Sequence, residues 1–471
     1  MLQVVGSRGD VQPFLALASA LQKCGHRVRL ATHGKFSAFV QEAGVEFFSI
    51  GGDPEDLMAY MVKNPGLMPS MQSLQAGDIA RKRKMIGEML DGCWHSCIDP
   101  DIVDGSHFVA DAIIANPPSF AHLYCAEALG IPVHMVFTMP WTGTTAFAHP
   151  LANVKGSGSD PKLANYMTYF VVEWITWQGL GDVINTWRQS LDLEPVPTTE
   201  GPMLAETLKI PHTYCWSPAL VPKPKDWGAH INVSGFFFRE AADYKPSEDL
   251  RHFLNAGRPP LYVGFGSIVL DDPARFCAAI IAAVIEYGER AIISPGWSRM
   301  DIPDDRENIF RLEDCPHEWL FKHVSMVIHH GGAGTTAIGL REARPTVVVP
   351  FFGDQPFWGN MIRQAGAGPE PIPQRQFTTE KLVEALRFCQ RAGVRSAAWT
   401  IAQQIKQEAG VQAAVQSFHS SLPLERLSCD ILANQPASWH VKLGGKRVKI
   451  SRAAAEVLIQ DVGFNKKNLI P

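Results

Sequence analysis

Short apolar strands alternate with helical segments in both halves of the chain, and this alternation restricts the fold more than any other feature of the sequence. We predict strands over 2–5, 27–32, 45–50, 110–115 and 133–138, and again over 261–265, 291–294, 308–312, 326–329 and 346–350. Strands that are joined through helices pair in parallel, and a parallel sheet carries helices on both faces. The sequence therefore predicts an α/β protein with two doubly wound, Rossmann-like domains.

The length of 471 residues suits two or three domains. We predict an N-terminal domain over 1–235, a linker over 236–258, a C-terminal domain over 259–420 and a tail over 421–471. The tail pattern predicts a hairpin that turns at Gly444-Gly445 and a helix that is capped by Ser451. The first strand is short, as a start downstream of the natural N-terminus would make it. Ligands bind beyond the carboxyl ends of the strands in open α/β sheets, so we expect the site in the cleft between the domains.

Composition excludes several classes of protein. With 43 Lys+Arg against 47 Asp+Glu, the net charge of −4 provides no basic field for nucleic acid. The nine cysteines have no framework spacing, which indicates reduced thiols. The sequence has neither an apolar run of about 18 residues nor the pattern of a signal peptide at its start. We therefore expect a cytoplasmic protein whose contact with membranes is at most peripheral.

Two segments each allow two interpretations. The basic run 81–84, Arg-Lys-Arg-Lys, lies in a predicted amphipathic helix and is typical of a solvated face, with contact to an anionic membrane surface as the alternative. The segment 166–187 is rich in aromatic residues, which are typical of a core. A pocket or a pocket mouth for an apolar ligand is the alternative there.

The segment 327–336, Val-Ile-His-His-Gly-Gly-Ala-Gly-Thr-Thr, leads from a strand through a glycine-rich turn into a helix. The first amides of a helix lack intrahelical partners, so such a turn is suited to binding an anion. The glycines let a diphosphate approach the backbone, while Thr335, Thr336 and His330 offer donors. A turn that is packed tightly for structural reasons is the alternative.

Other phosphate and metal sites fit the sequence less well. The lysine of a P-loop is missing, and no complete G-x-G-x-x-G is followed by an acidic residue, which disfavours nucleoside triphosphate hydrolysis and nicotinamide chemistry. His329 and His330 are neighbours on a strand and point to opposite faces, so they are poorly placed to share a metal ion. Asp99-Pro-Asp101 lies in a polar loop outside these motifs. We expect no metal site and no bound cofactor.

A second motif, Phe-Phe-Gly-Asp-Gln-Pro at 351–356, follows the predicted strand 346–350. A carboxylate that only accepts, beside an amide, suits the neighbouring hydroxyls of a sugar. These groups are Asp354 and Gln355, and a simple helix cap at Asp354 is the alternative. Together with the diphosphate turn, the motif favours a nucleotide sugar.

The two motifs resemble the donor signature of family 1 glycosyltransferases. In addition, Gly-Ser-Arg-Gly-Asp-Val-Gln-Pro at 6–13 resembles the N-terminal signature of their sterol 3-beta-glucosyltransferase branch, and the similarity continues through Trp-Gln-Gly-Leu-Gly at 177–181 into the tail, which fungal members also carry. The resemblance implies two facing Rossmann-like domains of the GT-B type. It also implies a lipophilic acceptor on the N-terminal domain and a UDP-sugar on the C-terminal domain.

The resemblance implies roles for individual residues. His330, Ala333, Gly334 and Thr335 would bind the diphosphate, Asp354 and Gln355 the sugar, His317 the uracil and Ser267 a phosphate, while Ser7, Arg8 and Asp10 would reach in from the opposite domain. Asp10 would act as the general base of an inverting transfer. An N-cap role is the alternative for Asp10.

Two positions depart from relatives. Ala333 replaces a serine of some sterol enzymes, and Asn116 stands in the region where plant relatives place an aspartate beside a histidine base. The acceptor stays open between a sterol, a terpenoid alcohol and another secondary metabolite. Glucose is the expected sugar, with xylose and galactose as alternatives. A UDP-sugar epimerase and a non-catalytic lipid-binding protein that retains the fold are the rival functions.

Overall fold

The computed structural model describes residues 1–64, 77–152, 160–238, 244–266, 268, 270, 272–296, 300–302, 307–313 and 315–469. Over these residues the chain forms two parallel sheets flanked by helices. This architecture confirms the predicted α/β class with two doubly wound units.

The N-terminal sheet has seven parallel strands in the order β3-β2-β1-β4-β5-β6-β7. They are β1 (Leu2–Gln3), β2 (Arg29–Thr32), β3 (Glu46–Ser49), β4 (Ile113–Ala115), β5 (Val133–Phe137), β6 (His212–Tyr214) and β7 (Ile231–Val233). Leu2 pairs with both Leu30 and Ile114, which places β1 between β2 and β4. The strand order reverses between β1 and β4, and ligand crevices form where such a reversal occurs.

The C-terminal sheet has five parallel strands in the order β10-β9-β8-β11-β12. They are β8 (Leu261–Gly264), β9 (Ala291–Ser294), β10 (Ile309–Arg311), β11 (Met326–His329) and β12 (Thr346–Val348). Here the order reverses between β8 and β11. The glycine-rich turn after β11 therefore lies at the reversal point of its own sheet.

Helices cover both sheets. In the first half they are α1 (Arg8–Lys23), α2 (Ser37–Gln41), α3 (Pro54–Lys63), α4 (Asp78–Ile98), α5 (His122–Leu129), α6 (Pro161–Ser190) and α7 (Leu204–Thr207). In the second half they are α8 (Glu248–Asn255), α9 (Pro273–Tyr287), α10 (His317–Leu320), α11 (Ala333–Arg341), α12 (Gln355–Gln364), α13 (Thr379–Cys389), α14 (Ala392–Gln407), α15 (Gly410–Ser421), α16 (Leu424–Leu427) and α17 (Arg452–Gln460). None of the helices within the described ranges is long and apolar enough to cross a membrane.

An aromatic cluster joins the two sheets. Trp358 of α12 is fully buried and meets Trp216 edge to face, with ring centroids 5.9 Å apart. Phe147 and Phe357 make a second edge-to-face pair at 5.2 Å. Large buried aromatic rings contribute heavily to an apolar core. This cluster therefore holds α12 of the C-terminal unit against the N-terminal unit.

Helix α15 returns to the N-terminal sheet although it belongs to the predicted C-terminal range 259–420. Phe418 packs in the same buried cluster as Phe14 of α1. Thr213 Oγ1 donates to Ser417 Oγ at 2.8 Å, and Ser421 Oγ lies 3.0 Å from His134 Nδ1. Helix α15 therefore ties the two units together. The predicted domain boundaries stay a prediction.

The tail forms a small unit of its own. Strands β13 (Trp439–Leu443) and β14 (Lys446–Ile450) make an antiparallel hairpin, and Val441 and Ile450 form its buried centre. Ser451 Oγ accepts a hydrogen bond from Ala454 N at 3.2 Å and so caps α17. The predicted hairpin and the predicted cap are both confirmed.

Candidate functional site

The loop after β1 bends sharply at Gly6, next to the carboxylate of Asp10 in the first turn of α1. Gly6 has φ 145°, and a Cβ on Gly6 would lie 2.3 Å from Asp10 Oδ2. Ser7 donates to the same oxygen twice, from its backbone N at 2.7 Å and from its Oγ at 3.0 Å. Only glycine leaves room for this arrangement, which holds Asp10 in one orientation at the beginning of α1.

The Asp10 carboxyl is partly exposed. Burial raises its pKa above the ordinary value, and the two hydrogen bonds from Ser7 oppose that rise. A carboxylate with a raised pKa is a stronger base in its ionised form. The N-cap interpretation of Asp10 is wrong, because Ser7 occupies the cap position and Asp10 is the third residue of the helix, where its carboxylate accepts from Ser7 N.

Asn116, at the end of β4, holds the neighbouring strand in place. Its Oδ1 accepts from Val5 N at 3.1 Å and its Nδ2 donates to Val5 O at 2.8 Å. A carboxylate has no donor for the second bond. Asn116 thus fixes the backbone that leads into the Asp10 loop and makes no hydrogen bond to Asp10 itself.

The glycine-rich turn after β11 opens α11 as the sequence predicts. Gly332 is the N-cap, and Ala333, Gly334 and Thr335 are the first three residues of the helix, whose amides have no intrahelical acceptor. A Cβ on Gly334 would meet nothing within 4 Å. This helix start is accessible and offers several donors to an anion.

Gly331 connects the turn to the second donor motif. It has φ 94°, and a Cβ there would lie 2.7 Å from Val348 Cγ1 and 2.9 Å from Gln355 O. The turn can therefore approach the α12 start only because position 331 is glycine. The two motifs that are separate in the sequence form one surface.

Three histidines surround this surface. Burial lowers the pKa of His330 to about 4, with a smaller contribution from His317, so the imidazole is neutral. His330 Nδ1 is buried without a hydrogen-bond partner among the described residues. His317 stacks on Phe321 at 4.7 Å, and its Nε2 lies 2.8 Å from Tyr262 Oη. His329 accepts from Gly331 N at 2.9 Å and supports the turn from below.

Asp354 and Gln355 begin α12. Asp354 Oδ2 accepts from Trp358 Nε1 at 2.7 Å. Burial raises the pKa of Asp354 to about 7, the bond from Trp358 lowers it, and the charge of Asp10 raises it. Gln355 Oε1 accepts from Phe351 N at 2.8 Å and from Phe352 N at 3.2 Å. The amide oxygen of Gln355 therefore shapes the loop, and its Nε2 stays available as a donor.

The charge of Asp10 raises the pKa of Asp354, so the two carboxyl groups, one on each domain, lie within electrostatic range of each other. Gln12 Nε2 of α1 also donates to Glu318 Oε1 of α10 at 3.3 Å, from one domain to the other. The structure thus brings α1 into contact with α10 and leaves Asp10 within electrostatic range of Asp354 at the α12 start. Arg8 is exposed and lies over the Phe39 ring at 4.6 Å, which directs it along its own domain. Ser267 lies outside the described residues.

A cavity of about 120 Å³ opens beside the N-terminal sheet. Its wall includes Pro117, one residue beyond Asn116, and the aromatic side chains of Trp141, Tyr169 and Trp177. Glu173 of α6 also lines it, accepting from Trp141 Nε1 at 2.5 Å. Burial raises the pKa of Glu173 to about 7. The cavity is thus mostly apolar, with two carboxyl groups in its wall, the exposed Glu206 and Glu173, of which Glu173 is about half protonated at pH 7.

Known proteins match the chain along most of its length. Residues 1–148 match the glycosyltransferase family 28 N-terminal domain, and residues 269–417 match the erythromycin biosynthesis protein CIII-like C-terminal domain. A sterol 3-beta-glucosyltransferase of Arabidopsis thaliana is 45% identical over 432 residues, which are 90% of this chain and 68% of that protein. The chain belongs to the sterol 3-beta-glucosyltransferase family. It is a glycosyltransferase.

Fungal members of the family are longer. The sterol 3-beta-glucosyltransferase of Yarrowia lipolytica is 36% identical over 443 residues, which are 90% of this chain and 29% of that protein. A second Arabidopsis thaliana relative is 45% identical, and the chain covers 65% of it. The chain therefore spans about two thirds of the plant relatives and under a third of the fungal one.

Solved structures agree with the GT-B architecture of this glycosyltransferase. The glycotransferase of kitacinnamycin superposes with a TM-score of 0.65 at 17% identity, covering 90% of this chain and 98% of that one. The glycosyltransferase VinC, solved in complex with dTDP, gives 0.59 at 15% identity, covering 89% and 99%. At these identities the likeness concerns the fold alone.

Three side chains have roles in the glycosyltransferase site that the sequence alone did not give. Trp358 fixes Asp354, Asn116 positions the β1 end, and Glu173 lines the cavity. The position of Trp358 four residues after Asp354 on one helix was a usable signal, because side chains four apart share a face. Among the described residues no group of three His, Cys, Asp or Glu side chains could hold a metal ion.

Proposed function

We propose that the glycosyltransferase moves glucose from UDP-glucose to the hydroxyl of a sterol in one inverting step. The observation that carries the proposal is the contact of α1, whose first turn holds Asp10, with α10 of the other domain through Gln12 and Glu318, together with the α11 start and Asp354 on that other domain. The Arabidopsis thaliana and Yarrowia lipolytica relatives, both sterol 3-beta-glucosyltransferases, support the sterol and the glucose.

In the proposed step the acceptor oxygen forms a bond to the anomeric carbon while the bond from that carbon to the UDP oxygen breaks. Asp10 takes the proton of the acceptor hydroxyl, and the Ser7 hydrogen bonds keep its carboxylate oriented. The electron pair of the broken bond goes to the diphosphate. The free amides at the α11 start and the His330 imidazole stabilise the negative charge that develops there.

The sugar binds at the start of α12. The second oxygen of Asp354 and the Nε2 donor of Gln355 are the groups that the loop leaves for sugar hydroxyls. His317 would contact the uracil, and Ser267 a phosphate, as the family resemblance implies. Arg8 would reach the donor only by leaving the Phe39 ring.

The cavity beside α6 is the proposed acceptor site. An engineered apolar cavity of about 150 Å³ holds one benzene ring, so a cavity of about 120 Å³ encloses part of a four-ring sterol. A terpenoid alcohol would fit the same apolar wall. Because such acceptors reside in lipid, we also propose that the protein, cytoplasmic as its composition predicts, contacts membranes peripherally.

Mass spectrometry of products from a panel of UDP-glucose, UDP-galactose and UDP-xylose with sterols and terpenoid alcohols tests the function. We expect a glucosylated sterol. A converted UDP-sugar in the absence of any alcohol would indicate an epimerase, and the absence of any product or UDP release would indicate a non-catalytic lipid-binding protein.

The variant Asp10→Asn tests the base. We expect about a 10³-fold loss of kcat with UDP binding retained, because a general base contributes about 10²–10⁴-fold. Asp104→Asn is the matched control. Asp104 accepts from Ser106 N in an exposed loop beside Arg27, which lies at the amino ends of the strands, opposite to Asp10. Wild-type turnover in Asp10→Asn would contradict the assignment of the base.

A further inference from the structure

The exposed face of α6 changes character halfway along the helix. From Leu163 to Trp174 every exposed residue is large and apolar, and beyond Trp174 every exposed residue is polar or glycine. The five apolar residues are between 40% and 58% exposed; they are Leu163, Met167, Phe170, Val171 and Trp174. We call these five residues the α6 apolar stripe.

The spacing of the stripe places its side chains together. At about 100° per residue, positions 163, 167, 170, 171 and 174 fall within about 100° of arc on the helix. The same face continues with Gln178 and Asp182, which are exposed and polar. A helix that only covers a core would show polar residues along the whole exposed face, so the apolar half indicates a contact that the polar half does not make.

Basic residues lie where the stripe ends. Arg83 of α4 donates to Gly179 O and to Asp182 Oδ2, which fixes the basic run 81–84 beside the polar half of α6. The side chains of Arg81 and Lys84 are 72% and 81% exposed. Asp78 and Glu88 offset part of their charge. Trp174, one turn before this cluster, has the amphipathic ring that suits a boundary between lipid and water.

The stripe also adjoins the proposed acceptor cavity. Phe170 belongs to the stripe and lines the cavity, and Tyr166, Glu173 and Trp177 line the cavity from the adjoining strip of the same helix. A cavity that encloses only part of a sterol leaves the rest of the ligand near its opening. Phe170 therefore lies at the opening, where the ligand would pass from the surface around the stripe into the cavity.

We propose that the α6 apolar stripe docks in the surface of an anionic lipid membrane and that the acceptor passes from the lipid into the cavity at Phe170. The stripe lies among the acyl chains near the headgroups, while Arg81 and Lys84 contact anionic headgroups. This inference rests on the proposed function only in taking the acceptor to be a lipid. The docking itself depends on the stripe and the basic run.

Vesicle flotation tests the docking without using catalysis. The variant Leu163→Gln/Met167→Gln/Trp174→Gln changes stripe residues that do not line the cavity. Its matched control is Val103→Gln/Ile285→Gln/Trp399→Gln, which removes three comparably exposed apolar residues from other surfaces. We expect the wild type and the control to float with phosphatidylcholine vesicles that contain phosphatidylserine, and the stripe variant to lose about tenfold in bound fraction. Equal flotation of the stripe variant, or no flotation of the wild type, would overturn the proposal.

A second arm uses the substrate. We expect the stripe variant to glucosylate vesicle-embedded sterol about tenfold more slowly than the wild type, and cyclodextrin-delivered sterol at the same rate. If the proposed function fails, neither protein makes product from either form, whereas flotation still reports on docking. A wild-type dimer that the stripe substitutions convert to a monomer in sedimentation would assign the stripe to a second copy of the chain and overturn the membrane proposal.

Discussion

The proposed donor site and the proposed acceptor cavity are built by different means. On the donor side, backbone amides and a few polar side chains at two helix starts within residues 327–358 form the surface for the diphosphate and the sugar, and His317 lies beside it. On the acceptor side, the cavity wall draws on separate parts of the chain from Pro117 to His230, and its Phe, Tyr and Trp side chains come from 120–124, 141 and 166–177. A diphosphate requires fixed donors, which a short strand-turn-helix segment supplies, whereas an apolar ligand requires only shape and apolar surface.

This difference has a consequence for protonation. Asp354 on the donor side and Glu173 on the acceptor side both have pKa values raised to about 7 by burial. Asp354 must lose its proton to accept hydrogen bonds from sugar hydroxyls, so donor binding improves as the pH rises through 7. Glu173 faces an apolar ligand, so acceptor binding improves as the pH falls through 7. The two sides oppose each other, and a bell-shaped dependence of activity on pH centred near 7 follows.

The largest effect in this comparison is expected at the backbone of the donor side. Gly334→Val places a branched side chain where a diphosphate would meet the α11 start, and we expect UDP to bind about 100-fold more weakly because a small misplacement of bound groups is that costly. Titration calorimetry with UDP measures the change. Gly393→Val is a matched control, since Gly393 is also the second residue of a helix and its Cβ would likewise meet nothing within 4 Å. Equal losses in both variants would show that the α11 start is not the anion site.

The sequence predicts the donor side well because its chemistry is local. The strand, the glycine turn and the helix start at 327–336 are contiguous, and the positive φ of Gly331 explains why glycine stands there. Strands β6 and β7 were not predicted, because each has only three residues within a stretch rich in Pro and Trp. The acceptor cavity was not predictable residue by residue, since a buried aromatic residue of α6 looks the same in sequence whether it faces a core or a cavity.

The role of Asn116 shows the same limit on a smaller scale. Its identity was visible in the sequence, but its partner Val5 lies 111 residues away. The sequence could therefore compare Asn116 only with the aspartate of plant relatives. In the structure Asn116 instead holds the backbone at Val5, in the segment that leads from β1 to Asp10.

The next prediction concerns the hydrogen bond that supports Asp354. Trp358→Phe keeps an aromatic ring in the interdomain cluster and removes the Nε1 donor that lowers the pKa of Asp354. The pKa of Asp354 should therefore rise, leaving more of the protonated form at pH 7. We expect UDP-glucose to bind about tenfold more weakly at pH 7, since hydrogen bonds to charged groups contribute about 1.5–3 kcal/mol.

Binding of UDP alone, which does not involve Asp354, should stay unchanged in Trp358→Phe, and UDP-glucose binding should recover as the pH is raised. Calorimetry at several pH values measures both. Trp399→Phe serves as the control, because Trp399 is exposed on α14. A parallel loss of UDP and UDP-glucose binding would mean that the substitution acts by loosening the contact between the domains.

The smallest effect is expected on the acceptor side, at Glu173. Its pKa is raised by burial and by the charge of Glu206, and it is lowered by the hydrogen bond from Trp141. As the pH rises from 6 to 8, the Glu173 carboxyl ionises within the apolar wall. We therefore expect the KM for the sterol to rise about threefold in the wild type, which corresponds to a small fraction of the free-energy cost of burying a charge. Glu173→Gln keeps the shape and an acceptor for Trp141 but cannot ionise, and its KM should be independent of pH over this range.

Steady-state kinetics at saturating UDP-glucose isolates this limb of the pH profile from the opposite change at Asp354. Glu206→Gln gives a graded version of the same test, because removal of its charge should lower the pKa of Glu173 and move the rise in KM to lower pH. If KM stays flat in the wild type while the limb governed by Asp354 is present, Glu173 does not face the acceptor. The alkaline side of the bell would then have to originate in the donor half of the cleft, and the division of labour between the two sides would fail.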